Sequence, residues 1–193
     1  MKNKFSIILL SFSVFIFSQN DKSSKWTSSL FIDLNASNNS SYSYYDLDNK
    51  SKDDSVDGKG SIELVYNIDY KLFNKLSATA TVGLTNFNGP LFASIKTGLG
   101  LKLIYAPDFN YNYLTLQYGY HSPFSRKQFR EGHQIKIGQV FDVVEIFNKR
   151  LLVGIFYNYD FFYLENAKTL SSYASKSFSY KTTSYGISFG IKF

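Results

Sequence analysis

The stretch SYGISFGIKF, residues 184–193, decides the fold. Tyr185, Ile187, Phe189, Ile191 and Phe193 alternate with Ser184, Gly186, Ser188, Gly190 and Lys192. A period of two belongs to an extended strand, so the large apolar side chains share one face and the small or polar ones the other. The second face is too small and too wet for an ordinary core. A strand of this kind fits a wall with hydrocarbon outside and a polar interior inside.

Working outward, the same alternation recurs seven times. Residues 26–37 set Leu30, Ile32 and Leu34 against Ser29, Asp33 and Asn35. Residues 61–72 give the cleanest case, with Ile62, Leu64, Tyr66, Ile68, Tyr70 and Leu72 opposing Glu63, Asn67, Asp69 and Lys71. Residues 76–85, 91–105, 111–120, 133–144 and 150–162 follow the rule. The joining segments hold the turn formers, and Pro90, Pro107 and Pro123 all read as lying in connections, where a missing N–H harms no ladder. Residues 38–60, rich in Ser, Asn, Asp and Lys, read as a long mobile loop, and residues 163–181 as the last long loop.

Eight strands is an even number, as a closed antiparallel barrel requires. The connections run long, short, short, short, long, short, long. With both termini periplasmic, the long ones fall outside and all three periplasmic turns are short, which is the rule for outer-membrane barrels. The predicted fold is therefore all-β: a closed, antiparallel, eight-stranded, up-and-down transmembrane barrel. A soluble lipocalin-like barrel is the architectural rival, with the apolar faces turned inward.

The amino terminus supports export. Lys2 and Lys4 precede an apolar run at residues 5–17, too short to span a bilayer as a helix. It reads as a secretory signal peptide, residues 1–18, cleaved between Ser18 and Gln19, although Ile16 departs from the usual small residue. An uncleaved anchor is the alternative. Residues 19–193 would form the barrel domain. No later segment is apolar enough for a membrane helix.

Composition narrows the function classes. Nineteen Phe and sixteen Tyr among 193 residues exclude a disordered chain and suit interfacial belts. There is no cysteine, so disulfides and thiolate metal sites are excluded. Removing Lys2 and Lys4 leaves 19 basic against 15 acidic side chains, a net charge of +4, which is no nucleic-acid signature.

Signal peptide, eight alternating strands and a terminal aromatic strand ending in Phe193 resemble the small outer-membrane barrels typified by OmpX and the OmpA membrane domain. The Ser18-Gln19 junction and the Phe, Tyr, Asn and Lys content are similar to barrel proteins of Bacteroidetes. The resemblance implies residence in the bacterial outer membrane and recognition of the final strand, through Ile191 and Phe193, by the barrel-assembly machinery.

By parity the interior carries Asp33, Glu63, Asp69, Asp142 and Asp160 against Lys71, Lys96, Lys102, Lys136 and Lys192. An eight-stranded barrel is just wide enough for its own side chains, so these balanced charges predict a plugged lumen rather than a charge-selective pore. His121 and His133 flank the third outer loop. His121-Ser122 invites comparison with barrel lipid-A deacylases, yet the spacing departs from their motif, Phe124 or Ser125 stands in place of Asn, and neighbouring strand residues point to opposite faces. Glu131 is a candidate to orient a histidine. Asp46, Asp48, Asp53, Asp54 and Asp57 raise calcium binding, but Lys50 and Ser51 break the EF-hand pattern, and Lys52 and Lys59 partly neutralise the charge. Arg126, Lys127 and Arg130, with Lys168, Lys176 and Lys181, make a basic outer rim suited to lipopolysaccharide phosphates.

The expectation is a non-enzymatic outer-membrane barrel, monomeric, with a structural or surface-interaction role. It has no catalytic, metal or cofactor residues and contacts membrane lipid and lipopolysaccharide. The alternatives are a lipid-A hydrolase using His121 or His133, and a channel for hydrophobic solutes.

Overall fold

The computed structural model describes residues 25–88, 92–106, 112–125, 129–164 and 174–193. The described residues form nine strands: β1 (Trp26–Asp46), β2 (Ser51–Ser55), β3 (Ser61–Phe73), β4 (Leu76–Phe87), β5 (Phe92–Ala106), β6 (Asn112–Pro123), β7 (Glu131–Ile146), β8 (Lys149–Tyr163) and β9 (Ala174–Lys192). Neighbours pair antiparallel in chain order from β3 to β9, and β1 pairs with both β3 and β9. Pairing of the last strand with the first closes the ring, so its wall presents no free strand edge to the hydrocarbon. The ring holds eight strands, as expected.

The ninth strand is the correction. β1 does not end at Ser37 but continues to Asp46, and β2 folds back on it, with Ser41 opposite Ser55 and Tyr45 opposite Ser51. β9 begins at Ala174 rather than near Ser184 and follows β1 along this extension. Parts of both predicted long loops are therefore strand. A bulge between Ser37 and Asn39 marks where the wall becomes the extension, and it shifts the in-out parity.

The two ends of the barrel differ. The chain enters at Trp26 and leaves at Lys192 on one end, here the terminal end, where β3–β4 and β7–β8 are joined by two-residue turns. In the second, Phe147 and Asn148 both have positive φ, 50° and 61°, the signature of a turn whose twist matches its strands. At the opposite, loop end, Pro123 is the last residue of β6 rather than part of a connection. Pro90, Pro107 and the predicted signal peptide lie outside the described residues.

Alternation separates two environments. Leu30, Ile32, Leu34, Ile62, Leu64, Leu99, Leu101, Leu116, Ile135, Ile137, Ile155, Ile187 and Phe189 all face outward and are exposed. Asp33, Glu63, Asn67, Lys96, Gln117, Gln134, Asn158 and Ser188 are buried inside. In water so large an apolar exterior would drive association; against acyl chains it is the stable orientation. The lipocalin-like rival required the reverse, and the side-chain directions overturn it.

Aromatic residues stand at both edges of this band. At the terminal end Trp26 packs on Tyr70, centroids 4.7 Å apart, and Gln139 donates to the Tyr105 hydroxyl at 2.6 Å. At the loop end Tyr118, Tyr120, Phe161 and Tyr163 face outward around His133. Rings with an apolar body and a polar edge settle at the membrane–water boundary.

Candidate functional site

The lumen is built in layers. Glu63 on β3 is 0 % exposed and Lys96 on β5 is 1 % exposed. Lys96 Nζ donates to Glu63 Oε2 at 2.5 Å, passing over β4. From the far wall Gln134 on β7 donates to Glu63 Oε1 at 3.0 Å and to Asp160 Oδ1 at 2.9 Å. Asn35 on β1 donates to Ser61 at 2.9 Å, while Asn158 on β8 donates to Asn35 at 2.9 Å. Side chains from five strands thus meet across the interior and tie opposite walls together.

One layer nearer the terminal end, Lys136 donates to Asp33, and Ser188 donates to the other oxygen of that carboxylate at 2.6 Å. The Lys136 ammonium also sits 3.8 Å from the centroid of the Phe156 ring. Below it the lumen turns apolar, with Phe31, Val65, Tyr113, Val140 and Leu152 in contact. Lys102 then donates to Asp69 at 2.8 Å, and Thr79 donates to the same carboxylate at 2.8 Å. Each ammonium has a carboxylate at contact distance, which offsets the desolvation of both.

At the loop end the network is roofed. Tyr42, Tyr44, Phe87, Phe92, Phe129, Phe162, Leu164 and Tyr180 form a buried apolar cluster. Cavities beside the ion pairs amount to about 20 Å³ and 30 Å³, room for a water molecule and no more than that.

Parity placed most of the interior correctly. Asp33, Glu63, Asp69, Asp160, Lys96, Lys102 and Lys136 are all buried in the lumen. Asp142 lies inward at the terminal end, where Arg150 Nη1 donates to it at 2.6 Å, and Lys192 is half-buried nearby. Lys71 is the exception. A bulge between Lys71 and Phe73 ends the register, and the side chain is exposed. The two apolar layers were missed. Their signal was the large residues at inward parity, among them Phe31, Val65, Leu152 and Phe162.

His121 is not a rim residue. It is the inward neighbour of outward-facing Ser122, 0 % exposed, with Ser94 Oγ 2.9 Å from Nδ1 and Asp160 Oδ1 3.8 Å from Nε2. Phe87 and Phe162 pack on its ring. The Ser94, His121 and Asp160 set has the residue types of an acyl-transfer site, but it faces packed side chains, with no space for an ester. His133 lies on the outer face and bonds the Tyr118 hydroxyl at 2.6 Å; Glu131 bonds Arg130 rather than either histidine.

In the first extension Asp46 accepts from the backbone of Asp48 and Lys50 at 3.0 and 2.8 Å, and Asp54 accepts from Tyr44 at 2.7 Å. Among the described residues these carboxylates do not converge on one point. Arg126, Lys127 and Lys168 lie outside the described residues. Arg130 and Lys181 stand on the outward face near the loop end, over the rings of Tyr163 and Phe161 respectively.

Closed ring, apolar band, aromatic residues at both of its edges and polar interior define an integral membrane β-barrel of the outer-membrane type. Comparison with protein-family models and with curated proteins finds no match. Among solved structures, outer membrane protein AlkL in DMPC bilayers is 13 % identical, with 87 % of this chain and 88 % of that one covered at a TM-score of 0.46. A de novo designed transmembrane β-barrel is 14 % identical over 85 % and 94 %, at 0.44. OprG from Pseudomonas aeruginosa is 11 % identical over 87 % and 95 %, at 0.39.

Proposed function

We propose that this protein is a non-enzymatic resident of the bacterial outer membrane, a small barrel of the kind that OmpX and the OmpA membrane domain typify. In this reading the terminal end faces the periplasm and the β1–β2–β9 extension stands outside the cell. The observation that carries it is the bridge from Lys96 through Glu63 to Gln134 and Asp160, which joins opposite walls across the lumen. Among the described residues, a lumen filled in this way leaves no open path for a solute. What remains available to function is the outer surface.

Lipopolysaccharide and membrane lipid are its contacts, and the barrel is monomeric. The final strand supplies the signal for barrel assembly through outward-facing Ile191 and terminal Phe193, whose backbone N–H bonds Ser28 at 2.9 Å. The lipid-A hydrolase reading uses His121 or His133; burial of His121 beneath the aromatic roof, and the bond that His133 makes to the Tyr118 hydroxyl on the outer face, argue against it.

The test combines membrane fractionation, gel mobility with and without boiling, and planar-bilayer conductance. A heat-shifted outer-membrane band without steady conductance is the expected result. A soluble, unshifted protein overturns the location, and a stable open conductance overturns the filled lumen. Unchanged lipid-A masses in a strain lacking the protein are expected; an altered acylation pattern reinstates the hydrolase.

A further inference from the structure

The outward face at the loop ends of β6 to β9 differs from the rest of the band. Pairing aligns Tyr120, His133, Phe161 and Lys181 in one row across four adjacent strands. The next row toward the loops pairs Glu131 with Tyr163. Lys181 Nζ lies 5.6 Å from the Phe161 ring centroid and Arg130 lies 5.7 Å from that of Tyr163. The rings of Phe161 and Tyr163 pack edge to face at 4.6 Å, so the two cations stand over adjoining rings. Arg130 Nη2 donates to Glu131 Oε1 at 2.8 Å, yet 56 % of the arginine side chain stays exposed. Its backbone is pinned by a 2.7 Å bond from its N–H to the Tyr163 carbonyl. Beside them His133 and the Tyr118 hydroxyl bring further polar atoms to the surface.

By contrast, the outward positions at the loop ends of β3, β4 and β5 are Ile62, Leu84, Asn86, Ala93 and Ile95. The cationic sector is therefore local. It sits immediately above the acyl band, at the height where lipid headgroups begin. An anion carried on a sugar matches it: guanidinium and ammonium groups pair with phosphate, and the flat ring faces suit the apolar face of a sugar.

We propose that this sector is a binding site for the phosphorylated sugar headgroup of an outer-leaflet glycolipid. Arg130 and Lys181 contact phosphate, Phe161 and Tyr163 support the sugar, and acyl chains run down over Tyr159, Ile135 and Tyr157. This assignment rests on the outer-membrane reading above and deepens it by naming where the lipid is held.

The test is native mass spectrometry of the full mature barrel in detergent, with bisphosphorylated lipid A, dephosphorylated lipid A and inorganic phosphate as probes. The wild type is expected to retain bisphosphorylated lipid A roughly tenfold better than either the dephosphorylated form or the R130Q/K181Q double variant does. Inorganic phosphate at millimolar concentration is expected not to displace it. Equal retention of both lipids by the wild type, or of bisphosphorylated lipid A by wild type and variant, overturns the site. Displacement by free phosphate overturns the glycolipid in favour of a simple anion. The wild-type comparison decides the matter even if the variant folds poorly. A wild type without a heat-shifted band sinks the barrel reading itself, whereas a shifted wild type that does not discriminate between the lipids removes only this site.

Discussion

The ring of Phe31 fills the space that a side chain at Gly190 would occupy. The two residues are direct cross-strand partners on β1 and β9, and a Cβ at position 190 would stand 2.3 Å from Cδ1 and 2.4 Å from Cε1 of the ring. The same pairing recurs as Phe156 opposite Gly186 and Phe162 opposite Gly132. At these three positions the phenyl ring takes the space that a side chain on the neighbouring strand would otherwise fill. Gly190→Ala is therefore expected to destabilise the barrel by about 1–3 kcal/mol through overpacking. Adding Phe31→Ala should bring the double variant well below the sum of the single costs. Urea unfolding in lipid vesicles measures both, and strict additivity would break the link between ring and glycine.

Lys96 and Glu63 respond differently to single and paired replacement. Lys96→Met leaves the Glu63 carboxylate buried without its ammonium, a loss of about 3–5 kcal/mol. Lys96→Met with Glu63→Gln removes both charges at nearly constant volume and keeps one acceptor oxygen at the Oε1 position to which Gln134 and Asn35 donate. The double variant is expected within about 1 kcal/mol of the wild type, or above it, because it avoids the desolvation of two ions. The same unfolding assay reads this. A double variant as weak as the single one would mean that the pair itself, rather than relief of an unpaired charge, holds the layer.

The lumen was legible in sequence because parity along a strand needs no knowledge of neighbours. Glu63 and Lys96 could each be placed inside from their own alternation. Their meeting across β4 could not be read, because it depends on the stagger between strands. Nor could the extension be read. Asn38, Asn39 and Ser40 carry loop composition, and the bulge at Ser37 and Asn39 breaks the alternation just where the strand continues. Its trace was the repeat of Tyr42 and Tyr44 between serines, mirrored by Ser177, Ser179 and Tyr180 on β9. His121 was misplaced for a related reason. Residues 121–132 read as a basic loop, yet β6 runs on to Pro123 and carries the imidazole into the roofed lumen.

Lys50 and Lys52 test the orientation. The turn between β1 and β2 is exposed, with Asn49 at a positive φ of 60°, and both lysines are open to a protease. Trypsin added to intact cells is expected to cut there while leaving Lys96, Lys102 and Lys136, all inside the wall, untouched. Lys75 and Lys149, at the opposite end, should be reached only after the outer membrane is broken. Cleavage at Lys149 in intact cells, with Lys50 protected, would invert the barrel.

Trp26 is the sole tryptophan in the chain, so its fluorescence reports one depth. It opens β1, is 53 % exposed and packs on Tyr70 at the terminal end of the apolar band. An indole there places its ring among the outermost acyl carbons and its N–H toward the headgroups. In vesicles containing lipids brominated at different carbons, quenching should be strongest for the label nearest the headgroup and weakest for the one nearest the bilayer centre. Trp26→Ala is expected to remove the signal while leaving the heat-shifted band, because the ring lies at the edge of the wall and the ladder between β1 and β3 does not depend on it. Strongest quenching by the deepest label would move the band along the barrel axis. Emission unaffected by any label would place Trp26 in water and shift the membrane boundary toward Leu30 and Ile68.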